Sequence, residues 1–184
     1  LEGYKARDVE VLLLTDPVDS FWVRTALGFE GKPFKSVTQG AADLDLIAAK
    51  DEAKTDPAED ASTAVLTAAL KQGGEKVKDV RSSKRLTESA VCIVNDSMMD
   101  RTLEKLLSRQ KDSGISVSAP ILEVNPGHPL IKALAALVTA KGAASVEDAA
   151  QLLLDQAFII EGEQVPDPAS FAKRLADVMA KAFG

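Results

Sequence analysis

The chain has 184 residues, room for one large or two small domains, and is 46% hydrophobic but only 4% aromatic, so its core must be built from Leu, Val, Ile and Ala. Its net charge is −6, with 13 acidic against 8 basic residues in 1–73 and 15 against 14 in 74–184; neither half offers the basic field a phosphate backbone requires, and a nucleic-acid partner is not expected. The single Cys92 allows no intrachain disulfide and suits a reducing compartment, and no apolar run approaches the roughly 20 residues of a membrane helix.

The chain begins LEGYKARD without a Met, as expected of a piece of something longer. Val9–Leu14 (VEVLLL) is a short apolar run that predicts a buried strand. Asp16-Pro17 then opens a helix over Val18–Leu27, with Asp16 as its cap and Phe21, Trp22, Thr25 and Ala26 at helical spacing. Gly28 and Gly31 stop it, and Phe34–Thr38 reads as a second strand, giving one βαβ-type unit too small to fold alone. Residues 41–72 are polar and Ala-rich, and Asp56-Pro57 divides them into two helices of a solvated linker. Gly73-Gly74 marks the domain boundary, so the expected domains are 1–73 and 74–184.

The second domain reads as mixed α/β. Val77–Arg81, Ala90–Val94 and Ile121–Val124 predict strands. Asn95-Asp96-Ser97 offers N-caps for a helix from Met98 to about Gln110, and Asn125-Pro126-Gly127 turns into a helix over Pro129–Lys141 that ends at Gly142. Two apolar helices close the chain, Val146–Ile160 and Ala169–Phe183, joined by the turn Glu161–Pro168. In the first, Leu152, Leu153, Leu154, Phe158, Ile159 and Ile160 wrap most of the circumference. Such a helix needs cover from several sides, and a second copy of the chain is the simplest cover. The whole is α+β and helix-rich, ending in a helical dimerisation hairpin.

Catalytic constellations are scarce. His128 stands alone at a helix start and reads as structural; with no second His and no CxxC there is no zinc ligand set. Asp16 and Asp19 read as caps facing the positive end of a helix, and Cys92 as a small hydrophobe in a strand. No GxGxxG or P-loop follows Gly73-Gly74. The basic cluster Lys76, Lys78, Arg81, Lys84 and Arg85 alternates with acids and reads as a solvated strand face. An enzyme using Asp16 or Asp19 with His128 is the rival reading. In the helix from Met98, positions 99, 103, 106 and 107 form one apolar stripe, either ordinary core or an adaptable binding surface, because Met side chains reshape to fit varied partners.

Several motifs then resemble one family in collinear order. LLLTDPVD at Leu12–Asp19 and EGKPFKSVT at Glu30–Thr38 look like the end of the middle domain of heat-shock protein 90 chaperones. VKDVR at Val77–Arg81, RLT at Arg85–Thr87, EKLL at Glu104–Leu107, LEVNPGHPLI at Leu122–Ile131, LLLDQA at Leu152–Ala157 and DPASFAKRL at Asp167–Leu175 look like the C-terminal domain of the bacterial form. The match is loosest from 41 to 70. The resemblance implies an ATP-dependent, cytoplasmic, homodimeric chaperone of the stress response. Its ATP and Mg site would lie outside this chain, so no catalytic, cofactor or metal residue is expected here. It implies a four-helix dimer interface through Leu152, Leu153, Ala157, Phe158, Ile160, Phe171, Leu175, Val178 and Met179. It also implies contact with partly unfolded client proteins through Phe21, Trp22, Met98, Met99, Leu103, Leu106 and Leu107, although Asp96-Ser97-Met98 departs from the family's Asp-rich helix start. A scaffold that dimerises without binding clients remains the alternative. The chain ends at Phe183-Gly184 without the acidic MEEVD of eukaryotic cytosolic relatives, so tetratricopeptide co-chaperones are not expected to dock.

Overall fold

The computed structural model describes residues 1–16, 18–35, 37, 77–95, 101–108 and 117–183. Within them the architecture is α+β. A three-stranded sheet is formed by β1 (Asp79–Ser82), β2 (Val91–Val94) and β3 (Ile121–Val124) in the order β1-β3-β2. The helices are α1 (Glu2–Lys5), α2 (Asp19–Thr25), α3 (Arg101–Ser108), α4 (Pro129–Lys141), α5 (Glu147–Ile160) and α6 (Pro168–Phe183), with a 3-10 turn at Ala143–Val146. The expected linker helices in 41–72 and the boundary at Gly73-Gly74 lie outside the described residues.

β3 is buried along its whole length because it is central, parallel to β1 and antiparallel to β2. Its register aligns Val80, Leu122 and Ile93 in one row and Arg81, Glu123 and Cys92 in the next. Neighbouring rows point to opposite faces, so one face is apolar and the other carries a charged row. The apolar face meets Ile131, Leu134, Ala135 and Val138 of α4 and Leu153, Leu154, Ala157 and Phe158 of α5 in a single core. α4 begins where the sequence predicts it. His128 caps it by accepting a hydrogen bond at Nδ1 from the Leu130 amide (3.2 Å), and Pro129 occupies the first turn. Gly142, at φ +83°, ends it in a conformation that favours glycine.

Three expectations are corrected. Val9–Leu14 forms no strand, and Leu13 is 72% exposed. An apolar run becomes a buried strand only beside a neighbour that takes its ladder hydrogen bonds, and no such neighbour lies among the described residues. Of the second predicted strand, Phe34–Thr38, the described residues 34, 35 and 37 are in no strand, so no βαβ unit is seen among the described residues. What holds this stretch is a tight turn in which Phe29 and Lys32 exchange two backbone hydrogen bonds of 2.9 Å across Glu30 and Gly31, both at positive φ. Asp16 does not cap α2 directly. It accepts from the amide of Val18 (2.9 Å), the residue immediately before the helix, while the Asp19 carboxylate accepts from the Asp16 amide (3.0 Å).

The third correction concerns α5. Its apolar girdle is covered largely by this chain, with β2 on one side and α6 on the other. Leu153, Leu154, Ala157 and Phe158 are therefore core, Leu152 is half-buried, and only Ile159 and Ile160 at the end are exposed. The difference between core and exposed Leu is measurable. Leu122→Ala should cost about 2–5 kcal/mol in chemical denaturation, and Leu13→Ala no more than about 0.5 kcal/mol.

Candidate functional site

The surface that stands out is α6. Asp167 starts it, accepting at Oδ1 from the Ser170 amide (3.1 Å). Phe171, Leu175, Val178, Met179 and Phe183 then recur at the three- and four-residue spacing of one helical face. None of the 16 residues of α6 is buried; Phe171 is half-buried, and Leu175, Val178, Met179 and Phe183 are exposed, Met179 by 49%. Ile159 and Ile160, at the end of α5, are exposed as well. Arg174 of α6 lies 3.7 Å from Asp148 of α5, a light tie between the two helices.

A second apolar feature sits on α2. Phe21 and Trp22 are both about half exposed, and Trp22 meets Phe34 at 5.2 Å between ring centroids. Met98 and Met99 lie outside the described residues, as do the side chains of Leu103 and Leu106; Leu107 is half-buried. Among the α3 residues whose side chains are described, Glu104 is buried, only 4% exposed, and accepts from the Ser118 hydroxyl (2.8 Å). Lys105 pairs with Glu163 in the turn between α5 and α6 (2.6 Å). α3 is thus attached through polar groups.

On the charged face of the sheet, Glu123 is buried and pairs with Arg81 (3.0 Å) and Arg85 (2.9 Å), with the Ser83 hydroxyl donating at 2.9 Å. The expected solvated basic face is therefore corrected at these two arginines. Burial, and then the negative charge of Glu123, push the Cys92 thiol up to about 12 against partial opposition from Arg85. Such a thiol is not a nucleophile at neutral pH. Asp155, in the middle of α5, accepts from Gln151 at one oxygen (3.2 Å), while its Oδ2 has no partner.

Glu2 of α1 makes the densest polar contact. Its carboxylate accepts from the backbone amides of Thr87 and Glu88 (2.8 Å each) and of Ser89 (3.1 Å), and from the Ser89 hydroxyl. Burial alone would raise its pKa, but these hydrogen bonds outweigh it and hold the carboxyl down at about 2.

Sequence reasoning placed Glu2, Glu104, Glu123 and Asp155 at the surface or passed over them. A signal existed for two of them: Glu123 interrupts an apolar strand, and Asp155 an apolar helix. Among the described hydrogen bonds and ion pairs, none joins His128 to Asp16 or Asp19. Among the described residues no His, Cys, Asp and Glu cluster could hold a metal ion, and no helix is long and apolar enough to cross a membrane.

Comparison with known proteins follows the same order of motifs. The family model described as Hsp90 protein matches residues 1–184. The chain is similar to the chaperone protein HtpG of Azorhizobium caulinodans, at 53% identity over 98% of this chain and 29% of that protein. It is 52% identical to HtpG of Rhizobium meliloti over 100% of this chain and 29% of that protein, and 50% identical to HtpG of Paramagnetospirillum magneticum over 98% and 30%. The chain thus spans less than a third of the length of these relatives.

The state of Cys92 can be tested directly. At pH 8 its alkylation should be on the order of 10³ slower than that of an ordinary cysteine, because so little thiolate is present, and guanidinium should restore the ordinary rate.

Proposed function

Because the chain belongs to the Hsp90 protein family, we propose that it supplies the homodimerisation end and part of the client-protein surface of an ATP-dependent chaperone. The observation that carries this reading is the uncovered apolar face of α6, together with the exposure of Ile159 and Ile160 at the end of α5. Two such hairpins facing each other would each cover what the other exposes. A stable dimer of this kind buries on the order of 1,200–2,000 Å². Ile160, Leu175, Val178 and Met179 are the contact residues in this reading, with Phe171 beside them and half-buried Leu152 at the margin. Leu153, Ala157 and Phe158 support the contact from the core beneath.

Joining two copies at this end raises the effective concentration of whatever each copy carries elsewhere. We place ATP and magnesium in the part of the relatives' length that this chain does not span, and the chaperone in the cytoplasm. The client surface combines Phe21 and Trp22 with the stripe on α3. Support comes from the way α3 is held. Positions 103 and 106 stand about 100° and 200° of helical rotation from Glu104, the residue that faces inward. An α3 serving as ordinary core would not turn its glutamate inward.

Sedimentation of Leu175→Glu/Met179→Glu tests the dimer. Both residues are exposed, so the fold should persist while association weakens by at least about tenfold, or 1.4 kcal/mol. A dimer of undiminished affinity rejects the interface. For the client surface, Phe21→Ser/Trp22→Ser and, separately, Leu107→Ser should each weaken capture of a permanently unfolded, reduced and alkylated protein without altering the dimer. Capture at full strength by both would leave a dimerisation scaffold.

A further inference from the structure

We propose that the loop Arg85–Ser89 is a docking seat that latches the chain's N-terminal stretch onto the sheet, with the Glu2 carboxylate as its key. Three successive backbone amides, those of Thr87, Glu88 and Ser89, converge on this one carboxylate at 2.8–3.1 Å, and the Ser89 hydroxyl joins them. Consecutive N–H groups that face one point form a concave anion receptor. The partners are 85–87 residues apart in sequence, so no local turn imposes the contact.

The residue next to Glu2 fits the same loop independently. A Cβ on Gly3 would lie 2.6 Å from the Arg85 carbonyl oxygen and 2.9 Å from its Cα. Only a glycine allows α1 to rest this closely on backbone. Arg7 reinforces the placement by donating to the Gly3 carbonyl (2.9 Å). The seat is itself anchored: Arg85 pairs through Nε with the buried Glu123 of β3 and donates through Nη1 to the Val37 carbonyl (3.0 Å). One loop therefore holds both the beginning and the end of the described N-terminal stretch.

The depressed pKa of Glu2 agrees with this geometry. The charged residues nearest in sequence are Lys5 and Arg7 on its own side and Lys84, Arg85 and Glu88 at the loop, and the shift itself comes from burial and the hydrogen bonds of Thr87, Glu88 and Ser89. Because the folded pKa lies below the ordinary 4.5, the carboxylate's contribution is full above that pH and is lost as pH falls through about 2. The strands pair with one another without α1, so the latch can open while the sheet stays folded. The latch does not depend on whether Phe21 and Trp22 contact clients.

Amide hydrogen exchange followed by NMR on the whole chain at pH 7 tests the latch. In the unaltered chain the amides of Thr87, Glu88 and Ser89 should be protected. In Glu2→Gln, whose amide group cannot accept at both positions, they should exchange at least about tenfold faster while Val80 and Leu122 keep their protection. Gly3→Ala should do the same with the carboxylate intact, by lifting α1 off Arg85. Unchanged protection at 87–89 in Glu2→Gln overturns the proposal. So does a loss shared equally by the strands, since the loop would then belong to the sheet's own cooperative unit.

Discussion

A sheet of three four-residue strands has little apolar face to offer, and that limit arranges the rest of the molecule. The rows built on Leu122 and Val124 are filled by α4 and α5. α6 then packs on α5 as a further layer, and none of its residues is buried by the described part of the chain. Burying its apolar face would gain roughly 25 cal/mol for each Å² removed from water, and the described part of the chain has no surface with which to do so. The exposure of Leu175, Val178 and Met179 follows from the arithmetic of layers rather than from loose packing. The same limit explains why α5 could be apolar nearly all round and still be mostly covered within one copy: it is the middle layer.

The opposite face of the sheet is governed by charge. A carboxylate such as Glu123 is costly to bury unless paired and hydrogen-bonded, and it has two guanidinium groups and a hydroxyl. Removing one partner of a buried pair typically costs about 3–5 kcal/mol because the other charge is left behind. Arg85 carries more than this pairing, since it also reaches Val37 and its backbone underlies Gly3. Its position is fixed by Glu123, so the seat for Glu2 inherits the rigidity of the central strand. Asp155 is the unresolved tension of the core, a buried carboxylate with one oxygen unsatisfied; no described contact accounts for it.

Much of the sheet half was legible because its signals are local. β3 was read at its observed bounds, and the start at Pro129 and the stop at Gly142 bracket α4 as expected, whereas the cap made by His128 came only with the structure. The two final helices differ from their predicted ends by one residue. The failures have a common cause: a period says that a residue is apolar, not what covers it. Val9–Leu14 has strand composition without a strand neighbour. Leu153 and Phe158 have interface composition but a sheet beneath them. The converse error affected the acids. Glu104 was set with the polar residues away from the stripe, where charge belongs by default, and only the fold supplies the Ser118 hydroxyl that makes its burial tolerable. The family itself was legible because several short motifs occurred in the right order.

The way α3 and the terminal hairpin are joined bears on what their surfaces can do. Lys105 meets Glu163 in the turn between α5 and α6, and Glu104 meets Ser118 beside the start of β3. Both attachments are polar and directional. The same logic applies to α1, held by a carboxylate in a ring of amides rather than by apolar packing, with Leu12, Leu13, Phe21 and Trp22 left outward. At both places the described contacts that fix a helix are polar.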